Sequence, residues 1–496
     1  MKEKFDKIVN SRFGKVADKL CNSVWYVFAY GLVCIVAHTF DIPVVGAVLL
    51  TILLVPALLF CKNSFVLVPF LTTCMFVMSE ETKPQSGYFG KPLYIAVLCI
   101  VLVIILTAFV FNLIYYKKWR AMFKRGYLTI SLALVSGFLV VGGLGAPSMS
   151  WTGVGMALAI SVTTFLPYTL LINCGEYEGR KSIEYFAWTM ITVSVVILAA
   201  VLKQYVIYDL KFTNLSISYA DKIKIVFGYA ISNTAAAFVV IALPITFYMV
   251  YIYKHGYLFL IAIVIELMAI FWTYSRASLV VAVPGTAIVA IVLCFKKKTG
   301  RLGYWIAFGI AAVIAVIGIV LLRHQIGGLI TKILSGNFST GDRFSLWKRG
   351  FDAWKSYPIF GLGIWYLPPI NNWYYSFHCT PLTYLYCAGI IGLAAYLYHR
   401  YKTVRLTFSA KLTAERVFVA LCILAMLCNA LLDIAMTMPP HLLYYGIMLA
   451  LLECDVKKTK LEQQTAIVVD GDKDDGDAKI MSTVSDQKTA TETEGE

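Results

Sequence analysis

A chain of 496 residues with 59% hydrophobic residues and only 14% charged residues is not a soluble globule, whose apolar share is roughly 45–50%. Its formal charge of +15 sits in short basic runs between apolar segments, as expected of retained loops, which excludes a nucleic-acid surface. The mean hydropathy of +0.75 fits an all-α, polytopic membrane bundle.

The opening residues, 1–23, are basic and amphiphilic and lack a short apolar core followed by a cleavage site, so the first apolar segment reads as a retained span. At roughly 20 apolar residues per span, segments near 24–40, 42–60, 64–78, 92–116, 127–145 and 152–174 form a first half. Those near 186–207, 235–253, 257–275, 277–295, 304–322, 384–399, 416–435 and 441–452 form the second. This predicts about fourteen helices, with twelve as the lower bound, making one transmembrane domain over 24–452.

Basic residues gather on alternate loops: Lys117, Lys118, Arg120, Lys124 and Arg125; Arg180 and Lys181; Lys296 to Lys298 with Arg301; Arg400, Lys402 and Arg405. That side is expected to be cytoplasmic and to hold both termini. The loops 79–91, 146–151, 208–234, 323–383 and 436–440 are then external. Residues 453–496 are polar and include the acidic run from Asp470 to Asp477, which reads as a disordered cytoplasmic tail. Nearly all of the twelve cysteines lie within apolar segments as small hydrophobes, and there is no CxxC spacing, so neither disulfide nor metal is implied.

One stretch interrupts the apolar pattern, from Ser335 to Gly392. A membrane protein carries its chemistry where it departs from plain spanning helix, so the site is expected here and in the segments that face it. Asp342 can cap a helix through Arg343, Phe344, Trp347, Phe351 and Trp354, with the aromatics on one stripe. With that stripe inward, Arg343 points into the protein, while Arg349 and Lys355 face headgroups or solvent. The bland reading, an interfacial amphipathic helix, also accounts for these basic residues. PIFGLGIWYLPP carries two glycines without a third and reads as a tight turn with close backbone approach, not a nucleotide loop.

Arg276, in FWTYSRASLV, stands at a helix boundary on the expected outer side. It either snorkels or binds an anion. His378, in SFHCTPLTYLY, is either structural or the proton acceptor for a hydroxyl. Asp433 could orient it or contact substrate, and Asn233, in the small and polar FGYAISNTAAAF, is a supporting candidate. Glu266, mid-span, is either a proton-relay carboxylate or a helix-packing group.

With these residues in order, the chain resembles the O-antigen ligase and polymerase family of bacterial envelope glycan assembly over roughly residues 225–400. The resemblance rests on FGYAISNTAA, YSRAS ending a helix, GDRFSLW in a long loop, the GLG turn, and His378 leading into YLYCAGIIGL toward Gly389. Cys379 stands where members often carry asparagine, and Val280 replaces a leucine. The resemblance implies an inverting, metal-independent glycosyltransferase without a cofactor, acting at the outer face of the cytoplasmic membrane. Its donor would be a glycan on undecaprenyl diphosphate and its acceptor a glycan or lipid. Membrane lipids and other polysaccharide-assembly proteins would be its partners, in O-antigen or capsule-type synthesis. By the same resemblance, Arg276 and Arg343 hold the diphosphate and His378 deprotonates the acceptor, with Asp433, Arg349 and Asn233 in support.

A lipid-glycan flippase or polysaccharide transporter is the competing class. It predicts several polar residues along mid-membrane helices and comparable repeats in the two halves, whereas the sequence offers chiefly Glu266 and one asymmetric loop. A structural or sensory protein is a third reading; it leaves Arg276, Arg343 and His378 free to vary.

Overall fold

The computed structural model describes residues 2–78, 91–211, 222, 225–228, 231–321, 323, 327, 340–364, 377–433 and 438–474. Two amphiphilic helices, α1 (Lys2–Val9) and α2 (Arg12–Cys21), precede α3 (Val24–Thr39), α4 (Pro43–Phe60) and the short α5 (Val68–Thr73). Then come α6 (Pro92–Tyr115), α7 (Lys118–Met122), α8 (Thr129–Val140), α9 (Trp151–Cys174) and α10 (Arg180–Ile207). The second half holds α11 (Ser232–Ile252), α12 (Leu260–Trp272), α13 (Arg276–Lys296), α14 (Arg301–Leu321), α15 (Thr340–Trp354), α16 (Thr380–Thr407), α17 (Ala414–Ala430) and α18 (Pro439–Asp474). Among the described residues the only extended pairing is the isolated bridge between Val226 and Ile231. Helix is what apolar surroundings demand, because it satisfies every interior backbone donor and acceptor within the segment.

Each apolar segment of the sequence contains helix, yet their lengths differ from the expectation of about fourteen spans. Seven among the described residues are long and apolar enough to cross a membrane: α4, α6, α9, α10, α11, α13 and α16. The pair α2 and α3, bent by 68°, raises this to eight if taken as one. The segment 64–78 breaks into a 3₁₀ turn, α5 and a second 3₁₀ turn, with Pro69 in the first turn of α5. The segment 127–145 yields only the 12-residue α8, because glycines follow it and Gly143 and Gly145 adopt positive φ.

Helix α11 is the most enclosed of these candidates, with 89% of its apolar window buried, against 6% for α6. It packs against α10, α12, α13 and α17, and the run Ala235, Ala236, Ala237 lets those neighbours approach closely. Glu266 is buried on α12, where its Oε1 accepts hydrogen bonds from Thr246 (2.7 Å) and Ser194 (3.3 Å) on two other helices. Those two contacts favour the helix-packing role over a relay.

The chain does not turn into a tail at residue 453. Helix α18 continues to Asp474, and the first two acidic residues of the expected tail, Glu453 and Asp455, are buried inside the fold. Glu453 accepts from the backbone N–H groups of Tyr127 (2.8 Å) and Leu128 (3.3 Å), donors left over at the start of α8, and from Tyr168 Oη (2.6 Å). Asp455 accepts from Arg416 Nε (2.9 Å), Thr413 (2.8 Å) and Tyr177 (3.0 Å). Residues 475–496, the remainder of the expected tail, lie outside the described residues, as do 324–326, 328–339 and 365–376 of the expected 323–383 loop.

Candidate functional site

The site begins at the break between α12 and α13. Thr273, Tyr274 and Ser275 separate the two helices, and Tyr274 takes a left-handed backbone (φ 53°), a conformation that costs a non-glycine residue about 1 kcal/mol. The Tyr274 ring stacks on Tyr205 (centroids 6.2 Å, interplanar 3°), which holds the strained residue in place. Ser275 then caps α13 by accepting from the Ser278 N–H, and its hydroxyl donates to Ser278 Oγ at 2.9 Å. Asn429 of α17 donates to the same Ser278 oxygen at 3.0 Å. Arg276 is therefore the first residue of a helix whose start is fixed on three sides, and it is exposed.

The second group comes from α15. This helix begins at Thr340, so Asp342 lies within its first turn instead of capping it. The packed face runs through Arg343, Leu346, Trp347 and Gly350, while Phe344 (65% exposed) and Phe351 (44%) point outward. The expected all-inward aromatic stripe is thus wrong by part of a turn. Trp347 secures the helix by donating Nε1–H to the Phe377 carbonyl at 2.6 Å. That rotation still turns Arg343 inward, where its Nη1 donates to the Leu432 carbonyl at 2.8 Å. Arg349 and Lys355 are exposed, and Lys355 pairs with Asp352 at 2.8 Å.

The third group is His378, just before α16, also left-handed (φ 47°). Its Nδ1 lies 2.9 Å from Asp433 Oδ1; the imidazole is 23% exposed and the carboxylate 1%. When the carboxylate is ionised it only accepts, so Nδ1–H donates and the neutral ring presents its lone pair at Nε2, the tautomer a general base requires. Because Arg343 holds the carbonyl of Leu432 and His378 holds Asp433, the two functional groups share one two-residue anchor past the end of α17.

Lys222 was not singled out in the sequence. Its Nζ donates to the Tyr274 carbonyl at 3.0 Å, two residues before Arg276. Burial, first, and then the Arg276 guanidinium push its ammonium down to about 8; Arg343 adds to this and Asp433 opposes it. All three charged groups thus act on Lys222. A cation on the expected outer side is as unusual for lysine as for arginine, but 208–234 also carries Lys211 and Lys224, so that signal alone does not single out Lys222. Asn233 lies half-buried in the first turn of α11, and its Oδ1 has no partner among the described residues.

The GLG turn packs against the helix that follows His378. Gly389 interrupts α16 with φ 67° and ψ −163°, which frees carbonyls one turn earlier. The turn fills that gap: Leu362 N–H donates to Tyr386 O (2.8 Å), Gly363 N–H to Cys387 O (2.9 Å), and Ile390 N–H to Pro358 O (2.9 Å). Gly143 N–H reaches Phe360 O (2.8 Å) from the end of α8. A side chain at Gly389 would overlap the Ile359 carbonyl as well as take an unfavourable φ. Gly389→Ala is therefore expected to destabilise the protein by roughly 2 kcal/mol or more, read as a lower melting temperature in detergent. Gly137→Ala, in the interior of α8 with open space around it, should be neutral or slightly stabilising.

The arrangement therefore combines two guanidinium groups and an ammonium able to hold a polyanion with a carboxylate-oriented imidazole able to take a proton. Residues 258–397 match a family model described as O-Antigen ligase. No curated protein matches the chain. The matched stretch contains Arg276, Arg343, His378 and Gly389, and over it the chain is similar to the O-antigen ligase family.

Proposed function

We propose that this protein transfers a glycan from a polyprenyl diphosphate carrier, undecaprenyl diphosphate in kind, to a glycan or lipid acceptor at the outer face of the cytoplasmic membrane. Arg276 and Arg343 hold the diphosphate, and His378 Nε2 takes the proton of the acceptor hydroxyl. The acceptor oxygen bonds to the anomeric carbon, the bond from that carbon to the diphosphate oxygen breaks, and its electron pair leaves with the diphosphate. Direct displacement inverts the anomeric centre. Guanidinium groups neutralise the charge that develops on the leaving group without a divalent ion. The observation that carries this reading is the bond between His378 and Asp433, made at the same two-residue anchor that binds Arg343. Extension of a glycan is favoured over ligation to a lipid core, because nothing in the chain specifies a lipid acceptor.

Purified protein in detergent, given a lipid-diphosphate oligosaccharide, tests this directly. Arg343→Ala should nearly abolish transfer, whereas Arg349→Ala, exposed on the other face of α15, should stay within about twofold of wild type. A chelator should change the rate little. Equal activity of the two arginine variants would overturn the assignment, and strong inhibition by chelator would overturn the metal-independent step.

A further inference from the structure

We propose that Lys222 is a third anion-binding residue of the donor site, contributed by the segment 208–234 and aimed by its bond to the Tyr274 carbonyl. The inference rests on the transferase reading and extends it to a residue outside the matched family segment.

Lys222 is held in place by the residues after it. Its own carbonyl accepts from Ile225 N–H at 3.1 Å, and Ile225 and Phe227 are fully buried at 1% and 0% exposure. Two large apolar side chains thus anchor this part of the segment in the core, and the bridge between Val226 and Ile231 closes it onto the start of α11. The ammonium bonds the carbonyl that precedes Ser275 and Arg276, so it is delivered to the beginning of α13. A lysine has three donors, and the Tyr274 carbonyl takes one.

The neighbourhood makes the placement informative. The groups acting on Lys222 are Arg276 on α13, Arg343 on α15 and Asp433 beyond α17, with His378 engaged on Asp433. The lysine thus stands among the groups assigned to the donor and the base. A diphosphate diester carries two negative charges and attracts all three cations, so each partner favours the charged state of the other.

The lysine gives the site a pH signature. The ammonium is charged below about pH 8 and neutral above, so its share of donor affinity is present at pH 7 and fades by pH 9. A polyprenyl-diphosphate-linked disaccharide is the suitable probe, because a diphosphate diester does not titrate across that range. Its binding and its turnover are measured at pH 7 and pH 9 on wild type, Lys222→Gln and Lys222→Arg, with melting curves to confirm folding. Lys222→Gln should bind the probe roughly tenfold to a hundredfold more weakly at pH 7 and show little further loss at pH 9. Lys222→Arg should keep near-wild-type affinity at pH 7 and lose the alkaline decline, because a guanidinium stays charged. A purely structural lysine would lower the melting temperature while leaving affinity and its pH dependence in the folded protein unchanged. Wild-type transfer with unaltered binding by Lys222→Gln, or a wild-type alkaline slope in Lys222→Arg, would overturn the inference and leave the transferase reading standing. Absence of both binding and transfer in the wild type would overturn the transferase reading and this inference with it.

Discussion

Replacing His378 with alanine is expected to lower glycan transfer by roughly 10²–10⁴-fold, the usual contribution of a positioned general base. The loss should fall on turnover more than on donor affinity, since the proposed mechanism gives the imidazole to the acceptor and the arginines to the diphosphate. Asp433→Asn should mimic much of it. An amide can donate to Nδ1 and so favour the tautomer that puts the proton on Nε2, where it blocks proton uptake. The carboxylate, 1% exposed against 23% for the imidazole, is far more enclosed than the ring it bonds, as suits an orienting group in the proposed mechanism. Steady-state kinetics on purified variants, with melting curves alongside, separate this outcome from misfolding. A His378→Ala enzyme with full turnover would remove the base from the mechanism.

Arg416→Ala is expected to cost roughly 3–5 kcal/mol of stability, as when one member of a buried ion pair is removed. Arg416 is completely buried and spends its donors on Asp455 Oδ2 (2.9 Å), the Ala410 carbonyl (2.9 Å) and Thr459 Oγ1 (2.8 Å). Its loss strands the Asp455 charge between α17 and α18. A double-mutant cycle with Asp455→Asn checks the cause: the pair of substitutions together should be less damaging than the sum of the two alone. Additive effects in thermal melts would mean that the ion pair is incidental.

That pair also explains where the sequence misled. Charged residues after Leu452 look like a solvated tail when read along the chain, because composition records how many charges a segment carries but not which charges meet them. Glu453 and Asp455 have their partners 325 and 39 residues away, at Leu128 and Arg416. Helix identity was legible throughout, since continuous apolar runs leave the backbone no other solution. Helix length was less so, because the glycines after α8 and the breaks around α5 end helices inside apolar sequence. At the site, Arg276, Arg343 and His378 stood out by residue type and position. The link from His378 to Asp433 was only one of two suggestions, and Lys222 was passed over within a segment otherwise noted for its small residues. The rotation of α15 was missed because spacing alone places aromatics on a stripe, while the Trp347 bond to Phe377 decides which edge of that stripe turns inward.

The break at Gly389 constrains how the protein is assembled. Inside a bilayer, carbonyls left open by an interrupted helix have no water to turn to, so α16 in its native bend is unstable until the 357–363 turn and the end of α8 are seated against it. The bend therefore forms only together with the turn and the end of α8, and His378, immediately before this helix, is positioned by that joint docking.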